Sequence, residues 1–183
     1  MRAAARGETI QREEEKVMAT LKRIVPCLWF DGRVEEAAKF YTGIFPNSRI
    51  LSTSYYSKSG QEIHGHKPGE VLTITFDLGG SPITALNGGP QFKFSEAISL
   101  QVMCETQAEI DHYWEKLSEG GDEKAHQCGW LKDKFGVSWQ VVPIQLPELL
   151  GDSDPVKTDR TLAALMKMKK LNIVQLQKAH DGG

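Results

Sequence analysis

Two stretches of this chain, 73 residues apart, repeat one another, and that self-similarity constrains the fold more than any single motif. Read from Pro26 and from Ser99, each stretch is an apolar, β-compatible strand followed by a helix. The first pair is Ile24 to Phe30 with Glu35 to Ile44, and the second is Ile98 to Cys104 with Gln107 to Leu117. Under the one offset the inward helix positions coincide: Ala37 with Ile110, Phe40 with Tyr113, Tyr41 with Trp114, Ile44 with Leu117. Glu36 and Glu109 coincide on the opposite face. Apolar residues at i, i+3, i+4 and i+7 make one helical stripe, so each half owns a strand and a helix with a face to bury. One matching helix would be coincidence, but strands and helices matching together imply a duplicated unit.

Three strand-like runs complete the first half. Arg49 to Ser57 precedes a polar loop holding His64 and His66, and Val71 to Leu78 with Ser81 to Leu86 form a hairpin about Gly79-Gly80. The second half is shorter. Gly120-Gly121 stops its helix, Gln127 to Lys132 reads as a strand, Asp133-Lys134-Phe135-Gly136 as a tight turn, and Val137 to Val142 as a closing strand halted by Pro143. So little chain separates Gly121 from Cys128 that the second strand of this half must be very short or missing. The expected fold class is α+β, with tandem βαβββ modules at about 24–89 and 97–145 inside a domain spanning 21–147.

The ends differ from the middle. Residues 1–20 mix Arg2, Arg6, Arg12 and Lys16 with Glu8 and Glu13 to Glu15 and are expected to form a flexible extension, with Met18 an alternative start. Residues 148–183 follow Asp154-Pro155 with an apolar stripe through Leu162, Leu165, Met166, Met168, Leu171 and Leu176. That stripe predicts one or two amphipathic helices docked on the main fold or on a partner subunit.

Charge and cysteine content narrow the function. With 22 Lys+Arg against 24 Asp+Glu the net charge is −2, which argues against a protein held on nucleic acid by phosphate contacts. Cys27, Cys104 and Cys128 are odd in number and form no CxxC pair, so they read as reduced thiols and the expected location is the cytoplasm. No apolar run is long enough for a membrane helix, so no membrane partner is expected.

Several short runs resemble one known family. They are Pro26-Cys27-Leu28-Trp29-Phe30-Asp31-Gly32, Phe40-Tyr41, Leu86-Asn87-Gly88-Gly89-Pro90, Cys104-Glu105-Thr106-Gln107, and above all Cys128-Gly129-Trp130-Leu131-Lys132-Asp133-Lys134-Phe135-Gly136 continuing through Trp139-Gln140. Together they resemble the PhnB-like branch of the vicinal-oxygen-chelate superfamily, which groups glyoxalase, bleomycin-resistance and dioxygenase proteins, and the branch is widely described as 3-demethylubiquinone-9 3-methyltransferase. The resemblance implies a cup built from the two modules. It also implies positions for metal ligands, which fall at Pro26, Ser99, Gln140 and near Ala85. Pro and Ala carry no donor atom, and one Gln with one Ser is a poor set for a divalent cation, so no metal and no cofactor are expected. Methyl transfer finds no sequence support either, because the chain has no G-x-G-x-x-G turn and no run of alternating βαβ units.

A cup without its metal is still a small-molecule pocket. The candidate ligand-binding residues are Trp29, Asn87, Cys128, Trp130 and Gln140, with Trp139 and Phe76 as further walls. Gln140 both donates and accepts, so it suits a carbonyl or hydroxyl, whereas Asn87 before Gly88-Gly89 serves equally to close a turn. Cys128 is the candidate catalytic nucleophile, provided that a nearby cation lowers its pKa. The expected function is binding of a small organic molecule, and the alternative is an enzyme of the lyase, isomerase or methyltransferase kind acting on one. A homodimer with the C-terminal helices near its interface is expected.

Overall fold

The duplication is visible as two mixed sheets, each backed by one helix, in a computed structural model that describes residues 24–183. The expected extension at 1–20 lies outside those residues. The first module runs β1 (Cys27–Phe30), α1 (Val34–Ile44), β2 (Arg49–Tyr55), a single turn α2 (Gln61–His64), β3 (Val71–Leu78) and β4 (Ser81–Asn87). Its strands lie in the order β1-β4-β3-β2, with β1 parallel to β4 and the other pairs antiparallel. The second module has β5 (Leu100–Cys104), α3 (Gln107–Ser118), β6 (Trp130–Lys132) and β7 (Ser138–Pro143), ordered β5-β7-β6. These three strands repeat the β1-β4-β3 arrangement. The counterpart of β2 is missing, and a short 3₁₀ turn at Glu123–Ala125 stands in its place along the chain.

The repeat is not in one register throughout. The helices match at an offset of 73, since Ala37, Ile44, Ile110 and Leu117 are all buried. In the strands the buried pair Leu28 and Phe30 matches Val102 and Cys104, an offset of 74, and the pairs Leu28↔Ala85 and Val102↔Val141 agree. The difference is one residue in the strand-to-helix turn, which is Asp31-Gly32-Arg33 in the first module and Glu105-Thr106 in the second. A one-residue slip turns every strand side chain to the other face, so the counterpart of Cys27 is Gln101 and not Leu100.

Both helices bury their stripes against a shared core, and its polar centre is Asp133, 3% exposed. Asp133 Oδ1 accepts the backbone N–H groups of Phe135 and Val137 at 2.9 and 3.0 Å. Oδ2 accepts Tyr41 Oη at 2.7 Å and Trp139 Nε1 at 2.8 Å. The β6–β7 turn is thereby tied across the modules to α1. Trp139 and Phe76, expected as pocket walls, are core residues at 2% and 0% exposure.

A short helix α4 (Leu146–Leu150) precedes the two expected from the apolar stripe, α5 (Pro155–Leu165) and α6 (Ile173–Asp181), and all three pack beside the second module. Leu149, Leu165, Leu171 and Leu176 form a second apolar cluster with Val142 of β7. The segment after α5 supplies a partner for the shortened sheet. Gly129 O accepts Val141 N–H at 2.8 Å on one side, while Gly129 N–H donates to Lys169 O and Cys128 N–H to Met168 O, both at 2.8 Å, on the other. For two residues the C-terminal arm thus occupies the place of the missing strand. Cys128 and Gly129 adopt φ of 53° and 85°, so the expected strand from Gln127 does not start until Trp130.

Candidate functional site

The helix-free face of each sheet carries the repeat's polar side chains in rows. Across the first sheet one row runs Cys27, Thr84, Thr75, Ser52, and the next Trp29, Leu86, Thr73, Ser54. Thr75 and Thr84 hydroxyls lie 3.2 Å apart, and those of Ser54 and Thr73 2.6 Å apart. Across the second sheet the equivalent row is Gln101, Gln140, Trp130. Gln101 Nε2 donates to Gln140 Oε1 at 3.2 Å, and Gln140 Nε2 donates to Ser99 Oγ at 2.8 Å. Cys27, Thr84, Gln101 and Gln140 therefore hold equivalent places in the two halves, in place of the register that put Pro26 and Ser99 there.

The five candidate binding residues fall into four places. Trp130 and Gln140 are direct neighbours on the second sheet. Trp29 lies on the first, its Nε1 donating to Gly89 O at 2.8 Å. Gly88 is tailored to that indole, because a Cβ there would sit 2.3 Å from the ring. Asn87 engages both ends of its amide with backbone: Oδ1 accepts Gly32 N–H at 2.9 Å and Nδ2 donates to Val71 O at 3.1 Å, which pins the β1–α1 turn to β3. Cys128 sits against the C-terminal arm, its sulfur 3.3 Å from Gln127 Nε2 and 3.7 Å from Met166 Sδ. Neither neighbour is the cation that a nucleophilic thiolate would need.

A cleft of 340 Å³ is lined by Trp29 of the first sheet, Lys132 of the second and the linker that joins the modules. Phe92 and Phe94 of that linker form one wall. Phe92 meets Trp29 edge-on at 4.9 Å between centroids, and Phe94 meets Phe30 at 5.2 Å. Phe135 closes the far side with the Arg33 guanidinium 4.6 Å above its ring. Charges ring the opening. Arg33 binds Glu36 through two nitrogens at 2.8 and 2.9 Å, and that bond, helped by Lys134, pulls the Glu36 carboxyl down to about 2. Lys132 pairs with Glu96 of the linker, whose carboxyl is lowered in turn. Of these residues only Trp29 was a candidate binding residue in the sequence. The alternation Phe92-Lys93-Phe94, one residue after Gly88-Gly89-Pro90, was the available signal for the linker wall.

His64 and His66 form no metal centre with their surroundings. Their rings lie 4.5 and 4.3 Å from the Tyr56 ring, and His66 Nδ1 is 3.0 Å from Glu70 Oε2. His126 caps the 3₁₀ turn against Trp114 and shares no strand with Cys128. Among the described residues no three His, Cys, Asp or Glu side chains converge as a metal site, and no helix is long and apolar enough to cross a membrane.

Comparison with known proteins agrees with the topology. The family model described as 3-demethylubiquinone-9 3-methyltransferase matches residues 22–142. Among solved structures, the PhnB protein of Bacillus cereus is 37% identical, with a TM-score of 0.56 over 67% of this chain and 99% of that one. The protein PA1353 of Pseudomonas aeruginosa is 20% identical, with a TM-score of 0.51 over 67% of this chain and 97% of its own. The fosfomycin resistance protein FosX of Listeria monocytogenes is 16% identical, with a TM-score of 0.48 over 73% and 99%. No curated protein matches. With the tandem modules, the length of the family match and the Bacillus cereus relative in agreement, this chain belongs to the 3-demethylubiquinone-9 3-methyltransferase family, the PhnB-like branch of the vicinal-oxygen-chelate superfamily.

Proposed function

We propose that the protein binds a small organic molecule in the cleft beneath the inter-module linker, without the metal used by other members of the superfamily and without methyl transfer. The observation that carries this reading is the cleft itself. It has aromatic walls, a few charged groups at its opening and an indole fixed in place by Gly88 and Gly89, which together match the usual make-up of a ligand pocket.

The donor atoms support the metal-free part. The equivalent positions Cys27, Thr84, Gln101 and Gln140 offer a thiol, a hydroxyl and two amides, and the two amides already bond each other. Partial desolvation raises the Cys27 pKa, so its thiol stays protonated at neutral pH and is a weak ligand. Those residues do not fit a divalent cation. S-adenosylmethionine fits no better. The β1–α1 turn has one glycine, and the β5–α3 turn is closed by a capping box in which Thr106 and Glu109 satisfy each other's backbone N–H groups.

Elemental analysis of the purified protein tests the first point: stoichiometric zinc, manganese, nickel or iron would overturn it. Native mass spectrometry and ligand-observed NMR with aromatic probes test the second, Trp29→Ala being expected to abolish binding. The same reading includes a homodimer. Its support is that β1 and β5 each end a sheet with one edge unpaired, next to the exposed Ile24, Ile98 and Met103. A monomeric mass at micromolar concentration would refute it.

A further inference from the structure

We propose that the cleft selects an aromatic molecule carrying an anionic group, with the ring held among Trp29, Phe92 and Phe135 and the anion held by Lys132 and Lys93. The inference rests on the cleft being the ligand site and adds the chemical class of the ligand. Three cations, Arg33, Lys93 and Lys132, line the cleft against one acid, Asp31, although the chain as a whole is slightly negative. They are not equivalent. Arg33 is committed to Glu36 through two bonds and serves the aromatic wall by lying over Phe135. Lys93 lines the cleft and makes no ion pair among the described residues.

Lys132 is the more telling case. It projects from β6, and its side chain is 24% exposed, whereas its partner Glu96 comes from the linker and is 62% exposed. The sheltered member of the pair is thus the cation on the rigid strand. An ammonium has three N–H donors and Glu96 uses one. A ligand carboxylate can take a second donor or displace Glu96, and displacement returns an already solvated carboxylate to water at small cost. At 340 Å³ the cleft is near the lower end of the range for ligand sites, which favours a one-ring molecule over a large cofactor.

The test uses the full chain and three probes: benzoate, its neutral isostere benzamide, and cyclohexanecarboxylate, which keeps the charge and loses the ring. Saturation-transfer NMR and fluorescence titration should show benzoate binding at least about tenfold more tightly than either of the others, the scale of one charge-assisted hydrogen bond. Lys132→Gln should weaken benzoate about tenfold and leave benzamide unchanged. Benzamide binding as well as benzoate, or benzoate indifferent to Lys132→Gln, overturns the anion and leaves the cleft as a ligand site. Failure of all three probes at millimolar concentration removes the anion proposal and the cleft reading together.

Discussion

Replacing Asp133 by Asn should loosen the joint between the two modules. The carboxylate accepts four donors from three directions: two backbone N–H groups of its own turn, Tyr41 Oη from α1 and Trp139 Nε1 from β7. Asn supplies one acceptor oxygen and an NH₂. If that oxygen keeps Phe135 and Val137, the NH₂ faces Tyr41, whose hydroxyl can rotate to accept, and Trp139, whose indole N–H can only donate. One donor is therefore orphaned inside the core at about 1–3 kcal/mol, and the remaining bonds lose their charge assistance. Relief of the buried charge offsets part of this. The expected net loss is about 2–4 kcal/mol, which at a urea m-value of roughly 2 kcal/mol/M moves the midpoint down by about 1–2 M. Tyr41→Phe leaves the carboxylate three of its donors and should cost only about 1–2 kcal/mol. The double variant should lose less than the two singles summed, since the same bond is counted twice. Urea unfolding followed by tryptophan fluorescence and far-UV circular dichroism reads all three. A change below about 0.5 kcal/mol for Asp133→Asn, the scale of an ordinary surface substitution, would refute the idea that this carboxylate ties the modules together.

The pH dependence checks the same residue independently. Burial raises the Asp133 pKa and outweighs the four hydrogen bonds, which act to lower it. An acid whose pKa is higher folded than unfolded binds its proton more tightly in the folded state. Its contribution is fully present below the unfolded value, near 4, and is lost as pH rises through the folded value. The stability difference between the native chain and Asp133→Asn should therefore be largest in acid and shrink toward neutrality. A difference that grows with pH would mean that the hydrogen bonds, not desolvation, dominate.

Three further outcomes follow from close contacts. Gly88→Ala places a methyl 2.3 Å from the Trp29 ring, so the indole must move and lose Gly89. About 1–3 kcal/mol of stability should go with it, and Trp29 emission should shift toward the solvent-exposed value. Gly129→Ala meets Val141 O at 3.0 Å and Leu171 Cδ1 at 3.1 Å at a φ of +85°, so the C-terminal arm should detach and limited proteolysis should cut after α5 faster than in the native chain. Cys104 is buried, with its thiol pushed up to about 11 mainly by desolvation, so Ellman's reagent at pH 8 should leave it unmodified until urea unfolds the protein.

The helices were legible because apolar residues at 37, 40, 41 and 44, recurring 73 residues on, line up on one face only if the backbone is helical, and they are indeed buried or half-buried. The strand register was not legible. Leu100, Val102 and Met103 are apolar on both faces, so pattern alone accepts either frame, and the length of the turn before α3 decides. That decision moved the equivalent of Cys27 from Leu100 to Gln101 and so redrew the polar row that a metal would have needed. The Gln127 to Trp130 stretch failed for a different reason. Its alternation looks like a strand, but its backbone is set by carbonyls at Met168 and Lys169, which no local window contains.

The cleft was the hardest part to read, and the duplication accounts for that. Two modules that bury their helices together leave two open sheet faces, and Trp29 and Lys132 belong to different ones. The segment between β4 and β5 lies over both, since Trp29 meets Phe92 and Lys132 meets Glu96. A linker is ordinarily the part of a repeat protein that escapes notice, because it has no counterpart in the other half and no period of its own. Here that lack of a counterpart is what lets it build a wall. Phe92, Lys93 and Phe94 are free of the constraint that the rest of the chain obeys, to serve a strand or a helix first, and they meet cations from positions 33 and 132 that each read locally as solvated surface charge. A duplicated fold of this kind should therefore vary its ligand class through the linker more readily than through its sheets. Exchanging 91–93 for a polar segment of equal length, with Phe94 kept against Phe30, should abolish aromatic binding while the urea midpoint moves little, and a fold that collapsed on that exchange would show this part of the linker to be core after all.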